Sequence, residues 1–203
     1  MDRAKIRLSA KEMELVTNAG WILTKNGIIE KTKKLFAELQ EQMSVHLHSI
    51  ASTLPTDAGK VPPKISKGEN YNGLPYLILD YPRLFDKQNI FAIRTMFWWG
   101  NFFSITLHLN GEYKKHYEQA CIKAFEIFKG HDFFLCINTD EWEHHFDSSN
   151  YIPVKNITKP EWEEAIKEKP FLKMAKKYSL HLWDDAVEKL TADFTMITGV
   201  LVS

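Results

Sequence analysis

The chain has 203 residues, 44% of them hydrophobic, 26% charged and 13% aromatic, and its 26 Lys and Arg balance 26 Asp and Glu. These values fit a packed globular domain, and a net charge of zero removes the long-range field that a dedicated nucleic-acid or polyanion binder carries. No run approaches the roughly 18 apolar residues of a membrane-crossing helix, and the opening "MDRAKIRLSAKE" lacks the apolar core of a secretory leader, so a cytoplasmic protein with no membrane partner is expected.

In chain order, Ser9 with Glu12 three residues on forms a capping box, followed by Leu15, Val16, Ala19, Ile22 and Leu23 at helical spacing. "KNG" at 25–27 is expected to break or bend this helix. A second one over 28–51 aligns Leu35, Phe36, Leu39, Met43, Leu47 and Ile50, making a helical hairpin or one long kinked helix. Residues 53–73, with Pro55, Gly59, Pro62, Pro63, Gly68 and Gly73, read as a linker-like loop. Strands are predicted over 74–81, 89–99 and 101–109, where aromatic and β-branched residues concentrate. A helix over 112–129 ends at Gly130, and 133–138 is a further strand; 141–147 is compatible with strand or helical turn. The remainder reads as helical. Thr158, Pro160 and Glu161 open it, Pro170 and "YSLHL" interrupt it, and Ala186, Val187, Leu190, Phe194 and Ile197 mark its last helix, with the apolar tail "FTMITGVLVS" continuing it into the core.

The expected architecture is α+β: a mainly antiparallel sheet of 4–5 strands with an aromatic central hairpin, covered by helices, plus N-terminal and C-terminal helical segments. One domain spans 1–203, divided into 1–52 helical, 53–73 loop, 74–157 sheet with one helix, and 158–203 helical. Cys121 and Cys136 sit in apolar periodic segments and are expected to be buried free thiols.

The hairpin "RTMFWWGNFFSITLHLNG" concentrates the functional signal. A two-residue turn at Gly100-Asn101 would pair Trp99 with Phe102 and put Arg94, Met96 and Trp98 on one face with Phe103, Ile105, Leu107 and Leu109. Arg94 is the anomaly of that apolar face. Its charge demands a carboxylate or a bound anion, and Asp80 on the preceding strand is the favoured partner, with Arg83 available to help hold an anion. The opposite face would combine Thr95, Ser104, Thr106 and His108 with Phe97, Trp99 and Phe102, a mixture suited to a small-molecule pocket or to a sheet under a helix.

His131, His144 and His145 with Glu141, Glu143 and Asp147 invite a metal reading, but no zinc-helix spacing is present, so no metal is assigned. Phosphate loops, nucleophile elbows and kinase or deaminase signatures are also missing, and no cofactor is inferred. Two readings follow. The first is a non-catalytic binding or protein-interaction domain that meets its partner through the aromatic sheet or the long N-terminal helix, homodimerisation included. The second is a small-molecule enzyme or ligand sensor in which Arg94 or Arg83 holds an anionic group, Trp99 contributes to the pocket and His108 shuttles a proton. A closed layer favours the first, and an open concavity lined by Arg94 or His108 the second.

Overall fold

The computed structural model describes residues 6–55 and 57–203; the reading of the first five residues and of Thr56 lies outside them. Ser9 opens the first helix through its capping box: its hydroxyl accepts the Glu12 amide at 3.2 Å, and the Glu12 carboxylate accepts the Ser9 amide at 2.7 Å. This helix, α1 (Ala10–Thr17), stops at Asn18, whose side chain caps α2 (Ala19–Ser49). The break thus falls at Asn18 and not at residues 25–27. Gly27 costs an interior helix turn only about 1 kcal/mol, and the buried stripe of Ile29, Leu35, Phe36, Leu39, Met43 and Leu47 carries α2 through it.

Among the described residues, seven antiparallel strands form one sheet: β1 (Lys64–Tyr71), β2 (Leu74–Phe85), β3 (Ile90–Trp98), β4 (Phe102–Asn110), β5 (Phe134–Cys136), β6 (Tyr151–Pro153) and β7 (Phe171–Ser179). Their order is β1-β2-β3-β4-β7-β5-β6. The α+β class stands, with more strands than the 4–5 expected. β1 lies within the stretch read as a loop, since Lys, Gly, Glu and Asn carry little strand preference; the sheet edge tolerates them, and their charges guard it. β7 lies in the stretch read as helical. Its three lysines obscured the strand pattern; Lys173 donates to a backbone carbonyl and Lys176 pairs with the Asp193 carboxylate.

The helix expected over 112–129 is divided at Ala124 into α3 (Gly111–Lys123) and α4 (Phe125–Gly130). Thr158 and Glu161 cap α5 (Lys159–Glu168) as their spacing predicts, and α6 (Ala186–Leu201) carries the apolar tail. Residues 137–150 are neither strand nor helix; they form an irregular strap that rejoins the sheet through the Ile137 amide and the Asn150 carbonyl, 2.8 Å apart. No helix among the described residues is long and apolar enough to cross a membrane.

The central hairpin turns through three residues, not two. Trp98 pairs with Phe102, and Gly100, at φ +72°, supplies the left-handed conformation in the loop. One residue of difference slides β4 against β3 and reverses which of its side chains share a face with Arg94. Arg94, Met96 and Trp98 stand with Phe102, Ser104, Thr106 and His108, while Phe91, Ile93, Thr95 and Phe97 stand with Phe103, Ile105, Leu107 and Leu109. The corrected register separates what the expected one mixed. One face is almost wholly apolar and belongs to the main core with α2, α3, α5 and α6; its exception, Thr95, has the one buried side-chain oxygen or nitrogen without a hydrogen-bond partner among the described residues. The opposite face carries the polar groups, and the strap lies across it.

Candidate functional site: an ionic network beneath a strap

Two neighbouring rungs of the sheet supply the network. Asp80, Arg94, Thr106 and Ala175 make the first, and Arg83, Ala92, His108 and Lys173 the second. Arg94 meets Asp80 in a two-pronged pair, Nε to Oδ1 at 2.7 Å and Nη2 to Oδ2 at 3.0 Å, with both side chains largely buried. The partner favoured from the sequence is therefore in place. The remaining prong, Nη1, lies 3.3 Å from His144 Nε2. A guanidinium only donates, so Nε2 accepts, and the imidazole is neutral with its proton on Nδ1. Burial drives the His144 pKa well below the ordinary histidine value, and the nearby charges of Lys173 and Arg94 push it the same way.

His108 is buried and its Nε2 lies 2.8 Å from Glu141 Oε2, which also accepts from Asn110 Nδ2 at 2.9 Å. Burial lowers the His108 pKa more than Glu141 raises it, while the hydrogen bond from His108 leads the causes that lower the Glu141 pKa. Neutral imidazole donating to carboxylate satisfies both shifts. Trp142, half exposed, covers this pair, with its ring centroid 5.5 Å from that of His108 and 5.9 Å from the Arg94 guanidinium.

Lys173 fastens the strap. Only 2% exposed, it donates its ammonium to the Glu141 carbonyl at 2.9 Å and to the Glu143 carbonyl, and burial pulls its pKa down to about 8. Tyr71 adds a second fastening from β1: its hydroxyl donates to Glu143 Oε2 at 2.8 Å and accepts the amides of His144 and His145 at 2.7 and 2.9 Å. Burial pushes the Tyr71 hydroxyl up to about 12. Asn150 closes the strap by donating to the His145 carbonyl at 2.5 Å.

Of the residues singled out in the sequence, Arg94 and His108 thus share a face, where the expected register had separated them. Arg83 stands apart, its Nε donating to the Pro62 carbonyl at 2.8 Å. Trp99 belongs to a different place, an apolar groove of about 400 Å³ lined by Ile28, Lys31, Phe97, Gly100, Leu180 and Trp183 as well. The groove at Trp99 and four other surface cavities among the described residues are lined by residues other than Asp80, Arg94, His108 and His144. Sequence reasoning had weighed Glu141 and His144 as metal ligands; they turn inward to the network instead. Among the described residues no group of three or more His, Cys, Asp or Glu is placed to hold a metal ion. Lys173 and Tyr71 were not foreseen, although a lysine alternating with Phe171 and Ala175 along one strand face was a legible sign of a buried cation. Comparison with protein-family models, with curated proteins and with solved structures finds no match.

Chemically the network is closed. Arg94, Lys173, His108 and Tyr71 each bond to the protein itself, and an incoming anion would have to displace the strap to reach Arg94.

Proposed function

We propose that this chain is a non-catalytic protein-interaction module that engages its partner through the helical arm formed by residues 6–27. One observation carries this reading: Ile6, Leu8, Met13, Leu15, Val16, Trp21, Ile22 and Leu23 are each at least 42% exposed, and α1 has no buried residue. Apolar side chains thus stand exposed along both α1 and the first turns of α2, and uncovered apolar surface of this kind marks interaction sites.

The pattern along α2 sharpens the point. Ile22, Ile29, Phe36 and Met43 recur every seven residues; the last three are buried against the sheet and α6, whereas Ile22 extends past them with 42% of its surface exposed. The stripe that packs the helix continues beyond the surface it packs on. By contrast, the alternative of a small-molecule enzyme or anion sensor built on Arg94, Arg83 and His108 needs an opening where the strap lies.

A photo-crosslinking residue at Leu23, compared with one at Ile127 of α4, which is also exposed, tests the reading. A discrete adduct is expected from the arm and none from Ile127, and the double variant Val16→Asp with Leu23→Asp should retain the wild-type circular dichroism spectrum. Absence of any adduct from the arm, or loss of the core fold in the double variant, overturns it.

A further inference from the structure

We infer that the strap over residues 137–150 is an acid-released latch, its trigger the contact between His144 and Arg94. The strap is placed to move as one piece. It joins the neighbouring strands β5 and β6, and its two ends meet where the Ile137 amide donates to the Asn150 carbonyl at 2.8 Å, so the part between them can swing away without parting any strand from its neighbour. Within the strap only Asn150 is buried, and the apolar anchor, the Phe146 ring stacked on Tyr151 with centroids 4.7 Å apart, lies near that base. The rest is held down by polar bonds to Tyr71, His108 and Lys173 of the sheet.

Hydrogen-bond chemistry sets the trigger. His144 stands on the strap, and its Nε2 accepts from Arg94 Nη1 on β3 at 3.3 Å. Once the imidazole is protonated both atoms carry hydrogen, and the bond becomes a contact between two cations. The carboxylates around it are already engaged. Asp80 of β2 is held by the other two prongs of Arg94; on the strap itself, Glu141 accepts from His108 and Asn110 of β4, and Glu143 accepts from Tyr71 of β1. Lys173, the charge facing His144 from β7, is positive, and the adjoining His145 lies against Glu143 and Asp147. The closed strap therefore excludes a proton that the open strap, with His144 in water, accepts, so closure weakens as the pH falls below the ordinary histidine range. His108 is a poorer trigger, because its protonated ring would still donate to Glu141. Opening strips Arg94 Nη1 and the Lys173 ammonium of their strap acceptors and turns a closed network into an exposed pair of cations.

Amide hydrogen exchange of the whole chain, corrected for the intrinsic effect of pH, tests the latch. One excluded proton raises the opening constant about tenfold between about pH 7.5 and 5.5. Protection of the His144 and His145 amides, both bonded to the Tyr71 hydroxyl, should fall by that factor. The opening is local, so sub-denaturing urea should leave exchange from the strap unchanged while speeding exchange from β3. His144→Gln should abolish the fall with pH, because a glutamine carbonyl accepts from Arg94 in acid and base alike, whereas His145→Gln should retain it. Equal strap protection at both pH values, a strap that opens only together with β3, or a His144→Gln chain that still loses protection in acid overturns the latch. If His144→Gln does not fold, the ring nitrogen shifts of the wild-type chain decide the trigger: a bare Nε2 on His144 at about pH 7.5 is expected, and a hydrogen there overturns it.

Discussion

Replacing Arg94 with Met removes one charge from a buried pair and retains much of the side-chain stem. Breaking such a pair costs about 3–5 kcal/mol, because the abandoned partner stays buried and charged. Asp80 and Arg94 keep 10% and 15% of their side-chain surface exposed, which places the expected loss near the lower end. About 3 kcal/mol corresponds to a fall of roughly 150-fold in the folded-to-unfolded ratio and, for a chain of this size, to a melting temperature lower by about 6–12 °C. Asp80→Asn alone should lose about 2 kcal/mol, and the double variant should recover part of the sum, with a coupling energy of about 2 kcal/mol. Arg94→Lys should fall between, since an ammonium retains the charge but not the two-pronged geometry. Urea unfolding followed by both tryptophan fluorescence and far-UV circular dichroism measures these values; the second probe guards against a local effect on Trp142, whose ring lies 5.9 Å from the guanidinium. A single-variant loss under about 1 kcal/mol, or additivity within about 0.5 kcal/mol, refutes the account of this pair as a buried, mutually dependent unit.

Acid should weaken the fold from near neutrality. His108 and His144 have folded pKa values below 6.5, so as the pH falls through 6.5 the unfolded chain takes up protons that the folded chain refuses; stability then declines by up to about 1.4 kcal/mol per pH unit for each histidine. Glu141, also lowered, adds to the decline as its own range is reached. Urea midpoints at pH 7.5 and 5.5 measure this, and a flat profile contradicts the neutral assignment of both imidazoles. Two glycines should behave in opposite ways. A Cβ at Gly68 would meet the Tyr76 ring at 2.3 Å, so Gly68→Ala should cost about 1–2 kcal/mol as the ring swings away; Gly27→Ala, in the interior of α2 with nothing within 4 Å, should add about 0.5–1 kcal/mol, read from thermal melts of the two variants.

Local chemistry made much of the fold legible. Ser9 with Glu12 and Thr158 with Glu161 announced their helices because a capping box satisfies backbone amides within four residues of sequence. Likewise β2, β3 and β4 were visible as runs of aromatic and β-branched residues. What failed was set by tertiary partners. β1 is a strand because β2 offers it an edge, and β7 is one because β4 and β5 flank it; neither fact is written in "KISKGENY" or "FLKMAKKYS". The candidate site suffered most from a single residue in a turn. Taking Gly100-Asn101 as a two-residue loop put His108 and Arg94 on opposite faces, and the three-residue loop brings them together. Asp80 could still be foreseen, because its strand phase relative to Arg94 does not depend on that turn. The strap could not, since its conformation comes from Lys173 and Tyr71, which are distant in sequence.

The place of β7 between β4 and β5 sets a delay in the chain's own synthesis. β4 is made roughly 60 residues before the strand that will pair with it, and at about 5–20 residues per second that interval lasts on the order of 3–12 seconds. Throughout it the nascent chain carries "FFSITLHLN" with one row of backbone donors and acceptors unmatched, an apolar segment well suited to pairing with a neighbouring copy on the same polysome. Production of this protein is therefore sensitive to how quickly the segment from α3 to β7 is translated, and slow codons between residues 111 and 171 should increase aggregation without changing a single amino acid.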